Sequence, residues 1–214
     1  MPPGGEYDPA VKESASPGGP RPGASRQRAD AERNREHLLS AAAATFIREG
    51  PRVPMSRVAQ AAGVGVGTLY RHFPDRDALL AALGSRAYAA VLALAQRVRA
   101  EEPTPLDALR AFLLGTIAQR EVLVLPLHGA PLVRTEADEA LRRAIRGELG
   151  AVLREGQAAG SIRPDVTAED IIITGALLAQ YLHRLPDGGA AASRAALIFV
   201  DGLRGTDGAS GLTD

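Results

Sequence analysis

Residues 54–73, PMSRVAQAAGVGVGTLYRHF, gather the side chains best placed to hold something. The spacing predicts a short helix from Met55 to Ala62 with Val58, Ala59 and Ala62 on one face. Gly63 follows as the left-handed residue of a tight turn, Val64 as a small apolar plug, and a second short helix runs from Val66 to His72. Leu69 and Phe73 turn inward. That leaves Gly67, Thr68, Tyr70, Arg71 and His72 outside: a hydroxyl, a phenol, a guanidinium, an imidazole and a glycine that admits close backbone approach. Hydroxyls suit phosphate oxygens, arginine can take a guanine edge with two hydrogen bonds, and tyrosine can bond a phosphate or pack on a thymine methyl. No acid lies between Glu49 and Asp75, so a polyanion meets no repulsion along the segment. Arg57 and Arg48 stand nearby as phosphate contacts or as solvated arginines. Such a set suits reversible recognition of double-stranded DNA; a plain helical hairpin with Tyr70 and His72 as surface residues is the alternative.

Bond-making chemistry has little to work with. There is no cysteine, which removes disulfides, thiol catalysis and cysteine–zinc sites. Four histidines are present, and neither His128 nor His183 has a second histidine three or four residues away, so no metal site is expected. No acid–base pair with catalytic spacing appears, so an enzyme on an all-α scaffold is the weakest reading, and no cofactor is implied.

The elements that must position the segment are helical. Leu38–Ala42–Phe46 and Leu39–Ala43–Ile47 form adjacent rows at four-residue steps, an apolar stripe on a helix from Asp30 that ends at Gly50-Pro51. Leu79, Leu80, Leu83, Ala87 and Val91 mark a long helix from Arg76 to about Ala100, and further helices fit 105–122, 135–159, 167–183 and 190–204. Pro/Gly clusters separate them, and alternating β-branched runs are missing. The fold class is all-α: an N-terminal three-helix domain with a helix-turn-helix, then a larger helical domain. The first 25 residues hold six Pro and five Gly, with Val11 as their only large aliphatic, and read as a flexible tail. The expected divisions are a tail at 1–27, a DNA-binding domain at 28–75, a larger domain at 76–205 and a short tail at 206–214.

Charge supports this weakly. Lys+Arg and Asp+Glu both number 25, which excludes a polybasic coat, while residues 21–83 carry ten arginines against six acids. No apolar run approaches the ~20 residues needed to span a bilayer, and no secretory leader is apparent, so no membrane partner and a cytoplasmic location are expected.

AQAAGVGVGTLYRHFPDRDALLAAL resembles the DNA-binding signature of the TetR family of transcriptional regulators, with the likeness running from about Arg35 to Leu83. It implies that Thr68, Tyr70 and His72 contact backbone and bases, that Gly67 allows close approach, and that Arg71 fills a variable base-reading position. It also implies that Arg76 matches a phosphate-holding lysine. Ala59, Gly63, Val64, Leu69 and Phe73 match packing positions. Two departures stand out. Val53-Pro54 replaces the usual Ser/Thr cap of the first motif helix, and Gly65 replaces the serine before the second.

In the larger domain, helix 167–183 contains IIITGALLAQYL and helix 190–204 contains AALIFV, apolar almost all round. Such helices must be buried on two sides. Pairing with a second copy through Ile171, Ile172, Gly175, Ala179, Leu197, Phe199 and Val200 is expected, the alternative being that they form the core of one chain. Tyr88, Phe112, Ile117, His128 and Tyr181 are candidates to line a small-molecule pocket, with core packing as the competing role. The expected function is a ligand-responsive dimeric DNA-binding regulator, a repressor released from its operator by a small molecule. A helical small-molecule carrier with a vestigial DNA-binding domain is the alternative.

Overall fold

The computed structural model describes residues 22–50, 52–119, 122, 135–181 and 187–205, without the side chains of 22–25, 180 and 181. Among the described residues the chain is eight helices: α1 (Pro22–Glu49), α2 (Met55–Ala61), α3 (Val66–His72), α4 (Arg76–Glu101), α5 (Pro105–Ala118), α6 (Glu136–Ala158), α7 (Ala168–Tyr181) and α8 (Gly188–Gly202). No strand is named among them. Two compact units divide at Arg35/Glu36. In the first, the described residues are the opening turns of α1, exposed, with Arg33 paired to Asp30. Helix thus begins at Pro22, eight residues before Asp30. Proline at the first helical position sacrifices no hydrogen bond, and the residues that follow include the good helix formers Ala24, Arg26, Gln27 and Arg28.

In the second unit, side-chain oxygens hold the helix starts. Asp75 accepts from the Ala78 N–H at 2.7 Å, and Thr104 accepts from Asp107 at 3.1 Å. Thr135 and Asp138 cap α6 reciprocally, and Thr167 and Asp170 do the same for α7. The C-terminal end of α8 is tied back to the loop after α6, where Gly205 donates to the Ser161 carbonyl at 3.1 Å. A Cβ on Gly205 would stand 2.1 Å from the Gly160 carbonyl oxygen, so only glycine lets the two strands of backbone approach.

Two apolar clusters share α4. One gathers Leu38, Leu39 and Phe46 of α1, Val58 and Ala59 of α2, Leu69 of α3, Phe73, and Leu79, Leu80 and Leu83 of α4. The other joins Leu94, Ala95 and Val98 of α4 to α5, α6, α7 and α8. The cluster of the expected DNA-binding domain runs on to Leu83, because α3 is too short to bury Leu69 and Phe73 without the first two turns of α4. By length and composition α4 is apolar enough to cross a bilayer, contrary to the expectation that no such run exists. Its buried leucines, Leu79, Leu80, Leu83 and Leu94, are spent on the two clusters.

Where the clusters meet, consecutive residues of α4 reach in opposite directions. Ser85 donates to the buried Asp138 carboxylate of α6 at 2.5 Å. Arg86 pairs with Glu36 of α1 at 2.7 Å and donates to Ser40 at 3.1 Å. Burial works against the Asp138 charge, but the Ser85 hydroxyl and the Thr135 N–H and hydroxyl outweigh it and hold the carboxyl below its ordinary 3.8. A depressed pKa stabilises the fold at pH above 3.8 and loses that contribution as pH falls through the folded-state value. Asp138→Asn should cost roughly 1–2 kcal/mol at neutral pH and flatten the acid limb below about pH 4, read by urea unfolding across pH. An acid limb identical to that of the unsubstituted protein would show that Asp138 is not the group titrating.

Candidate nucleic-acid interface

The motif rests on its turn. Gly63 sits at φ +67°, the left-handed region that a side chain resists. Val64 N–H bonds back to the Ala59 carbonyl at 3.0 Å, and Thr68 N–H to Gly65 at 2.9 Å, so α3 starts at once after the turn. His37 of α1 donates from Nε2 to the Ala62 carbonyl at 3.0 Å, fastening the end of α2 from outside. Pro54 is the N-cap of α2 and Gly65 that of α3; neither supplies a side-chain bond.

Leu69 is 0% and Phe73 1% exposed, both seated in the DNA-binding cluster. Burying that edge turns the opposite face of α3 to solvent. Tyr70 is 45% exposed, and Gly67 and Arg71 are open to solvent. Thr68 and His72 lie half-buried at the margins, the His72 ring centroid 6.3 Å from that of Phe73. The five residues expected on the outer face therefore share one short helix, with Gly67, Tyr70 and Arg71 the most accessible.

Two arginines have partners within the chain. Arg57 is engaged by Glu49 through Nε and Nη2, each at 2.9 Å, and by Gln60 at 2.8 Å. The Arg57 guanidinium bonded to Glu49 is the main reason that carboxyl lies below its usual range. Arg57 is thus a paired charge at the surface, its side chain 43% exposed. Arg76 is turned inward. Its Nη1 donates to the Val53 carbonyl at 2.6 Å, its guanidinium lies 5.3 Å from the centre of the Phe46 ring, and Nη2 is buried. As the first residue of α4 it staples that helix to the end of α1 and to the loop before α2, which a shorter lysine head group would not do as well.

Elsewhere the placements are mixed. Phe112 and Ile117 are buried in the larger cluster and Tyr88 packs half-buried against it, so these three serve the core. His128 and the Tyr181 side chain lie outside the described residues. In α7, Ile171, Gly175 and Ala179 form the inward row: a Cβ on Gly175 would meet Leu113 of α5 at 3.3 Å. Val200 is buried in the same core, while Ile172 and Phe199 are half-buried against it. Within one copy, Ile171, Gly175, Ala179 and Val200 are therefore packed inside, Ile172 and Phe199 are partly covered, and Leu197 stays open to solvent. The row that does face outward is Ile173 and Leu177, each 50% exposed, with Leu197 at 40% and Ile198 at 73% on α8. An open groove of about 530 Å³ runs beside it, lined in part by Val166, Asp170, Ile173, Ile198 and Phe199.

Taken together, a two-helix motif with an exposed polar second helix, joined through α4 to a helical domain, defines a helix-turn-helix DNA-binding regulator. Residues 38–83 match the model of the tetR family of bacterial regulatory proteins, and residues 104–205 that of the SbtR-like transcriptional regulator C-terminal domain. The solved TetR regulator SCO0520 from Streptomyces coelicolor is 34% identical with a TM-score of 0.59, covering 80% of this chain and 99% of that one. One from Mycobacterium vanbaalenii is 33% identical with a TM-score of 0.60, covering 83% and 99%. The regulator NfxB of Pseudomonas aeruginosa is 28% identical over 135 residues, 62% of this chain and 72% of NfxB. The chain belongs to the TetR family of transcriptional regulators.

Arg76→Ala should lower stability by roughly 1–2 kcal/mol, since it removes a charged hydrogen bond and a cation–ring contact. Glu49→Gln, which only frees Arg57, should leave stability within about 0.5 kcal/mol. Chemical unfolding of the two variants separates a staple from a surface pair; equal small effects would return Arg76 to the surface.

Proposed function

We propose that this regulator acts as a homodimeric, ligand-responsive repressor in the cytoplasm. One α3 from each copy enters successive major grooves of a partly palindromic operator, and a small molecule bound in the larger domain releases it. The observation that carries the reading is the division of α3: Leu69 and Phe73 fully buried, Gly67, Tyr70 and Arg71 exposed. Second helices of this motif lie in the major groove, and dimers match half-sites one helical turn apart. On this reading Arg71 and Tyr70 carry base and phosphate contacts, Thr68 and His72 flank them, and Gly67 lets the backbone approach. A small molecule can weaken DNA binding only through its different affinity for two dimer states. A hundredfold release needs about 2.7 kcal/mol of coupling.

Tyr70→Ala and Arg71→Ala should each weaken operator binding roughly tenfold or more while leaving the unfolding midpoint unchanged. The affinity of the unsubstituted protein should fall linearly with salt on logarithmic axes, as counterions are released. Fluorescence anisotropy with a duplex selected from genomic fragments reads both. Unaltered affinity in both variants would mean that α3 is not the reading helix.

Support for the second copy is the outward row Ile173, Leu177, Leu197 and Ile198, large apolar side chains on two adjacent helices. Contiguous exposure of this kind marks an association surface. Ile198→Asp places a charge at the most exposed of the four, and light scattering should register a shift from dimer to monomer with helical content retained. A variant that remains dimeric would move the interface elsewhere.

A further inference from the structure

We propose that Val66 is a specificity-determining residue that reads the C5-methyl group of a thymine, an inference that rests on the DNA-binding reading of α3. Val66 is the first residue of α3 and is 40% exposed, although it belongs to neither apolar cluster. Its neighbours Gly65 and Gly67 carry no side chain, and nothing lies within 4 Å of where a Cβ on either would stand. The isopropyl group therefore projects alone from the start of the helix, between two points where the backbone can come close to another surface. Tyr70, one turn further on, is the next exposed large side chain in the same row, at 45%.

Helix formation does not ask for valine here, because alanine or a long polar residue is the better helix former at an exposed position. Valine cannot bond a phosphate or the polar edge of a base. Among the groups that B-DNA displays in the major groove, the one that matches an isopropyl group is the thymine methyl. The N-terminal residues of the second motif helix are the ones that meet base edges. The β-branched side chain is stiff about χ1, so little freedom is lost when the methyl is engaged.

The full-length protein and Val66→Ala are tested on the duplex that the full-length protein selects from a random pool, with each thymine replaced in turn by deoxyuridine. Removing the methyl at one position per half-site should cost the unsubstituted protein about fourfold in affinity per half-site, the worth of one methyl-sized apolar contact. Val66→Ala should bind the parent duplex about fourfold more weakly per half-site and show no further loss on the deoxyuridine duplex. Its unfolding midpoint should be unchanged, since the site is exposed and alanine favours helix. A flat deoxyuridine profile, or the same loss in both proteins, overturns the assignment while leaving the regulator reading in place. A pool that yields no preferred duplex overturns both.

Discussion

A helix of seven residues has almost no stability of its own in water, since nucleation alone costs more than so few backbone bonds return. Everything that α3 does therefore depends on Leu69 and Phe73 being seated among Leu38, Phe46, Val58 and Leu79. Those two anchors, one turn apart, fix both the place of the helix and its rotation. Rotation is the part that matters for recognition, because turning α3 by one residue would carry Tyr70 toward the core and an apolar side chain toward solvent. The small residues Ala59 and Ala62 and the left-handed Gly63 let α2 approach closely enough for the seating to occur.

The remaining polar contacts of the motif defend that seating from its edges. His37 fastens the end of α2, Arg76 fastens the start of α4 to the loop before α2, and Arg57 is tied to Glu49 at the end of α1. The arginines nearest the recognition helix thus hold the scaffold, and Arg71 is the guanidinium that its outer face presents. A modest positive balance in the sequence accordingly overstates the charge available to a polyanion. Recognition that leans on a few well-aimed groups, with backbone approach at glycines, suits such a surface.

Helix α4 contributes to both apolar clusters. Its first turns are core to the DNA-binding cluster and its last turns to the larger cluster, with Ser85 and Arg86 facing α6 and α1 at the crossing. Packed interiors do not deform gradually. A shift of α6 relative to α4 would be felt at Leu79 and Leu83, and hence at the floor beneath α3. The buried Asp138 makes the crossing specific, because a carboxylate there tolerates only arrangements that keep its hydroxyl and N–H donors in place.

Much of this was legible in the residues alone. Periodicity and glycine placement pointed to the all-α class, the approximate extent of α3, and the inward turn of Leu69 and Phe73, because local spacing and turn geometry are local properties of the chain. Tertiary structure alone decided the partners of Arg57 and Arg76, since a long arginine side chain reaches groups remote in sequence. It alone decided which rows of α7 and α8 face outward. A helix apolar on every side has no moment to orient it, so Ile171, Gly175 and Ala179 became core, and Ile173 and Leu177 surface, only when α5 packed against one side.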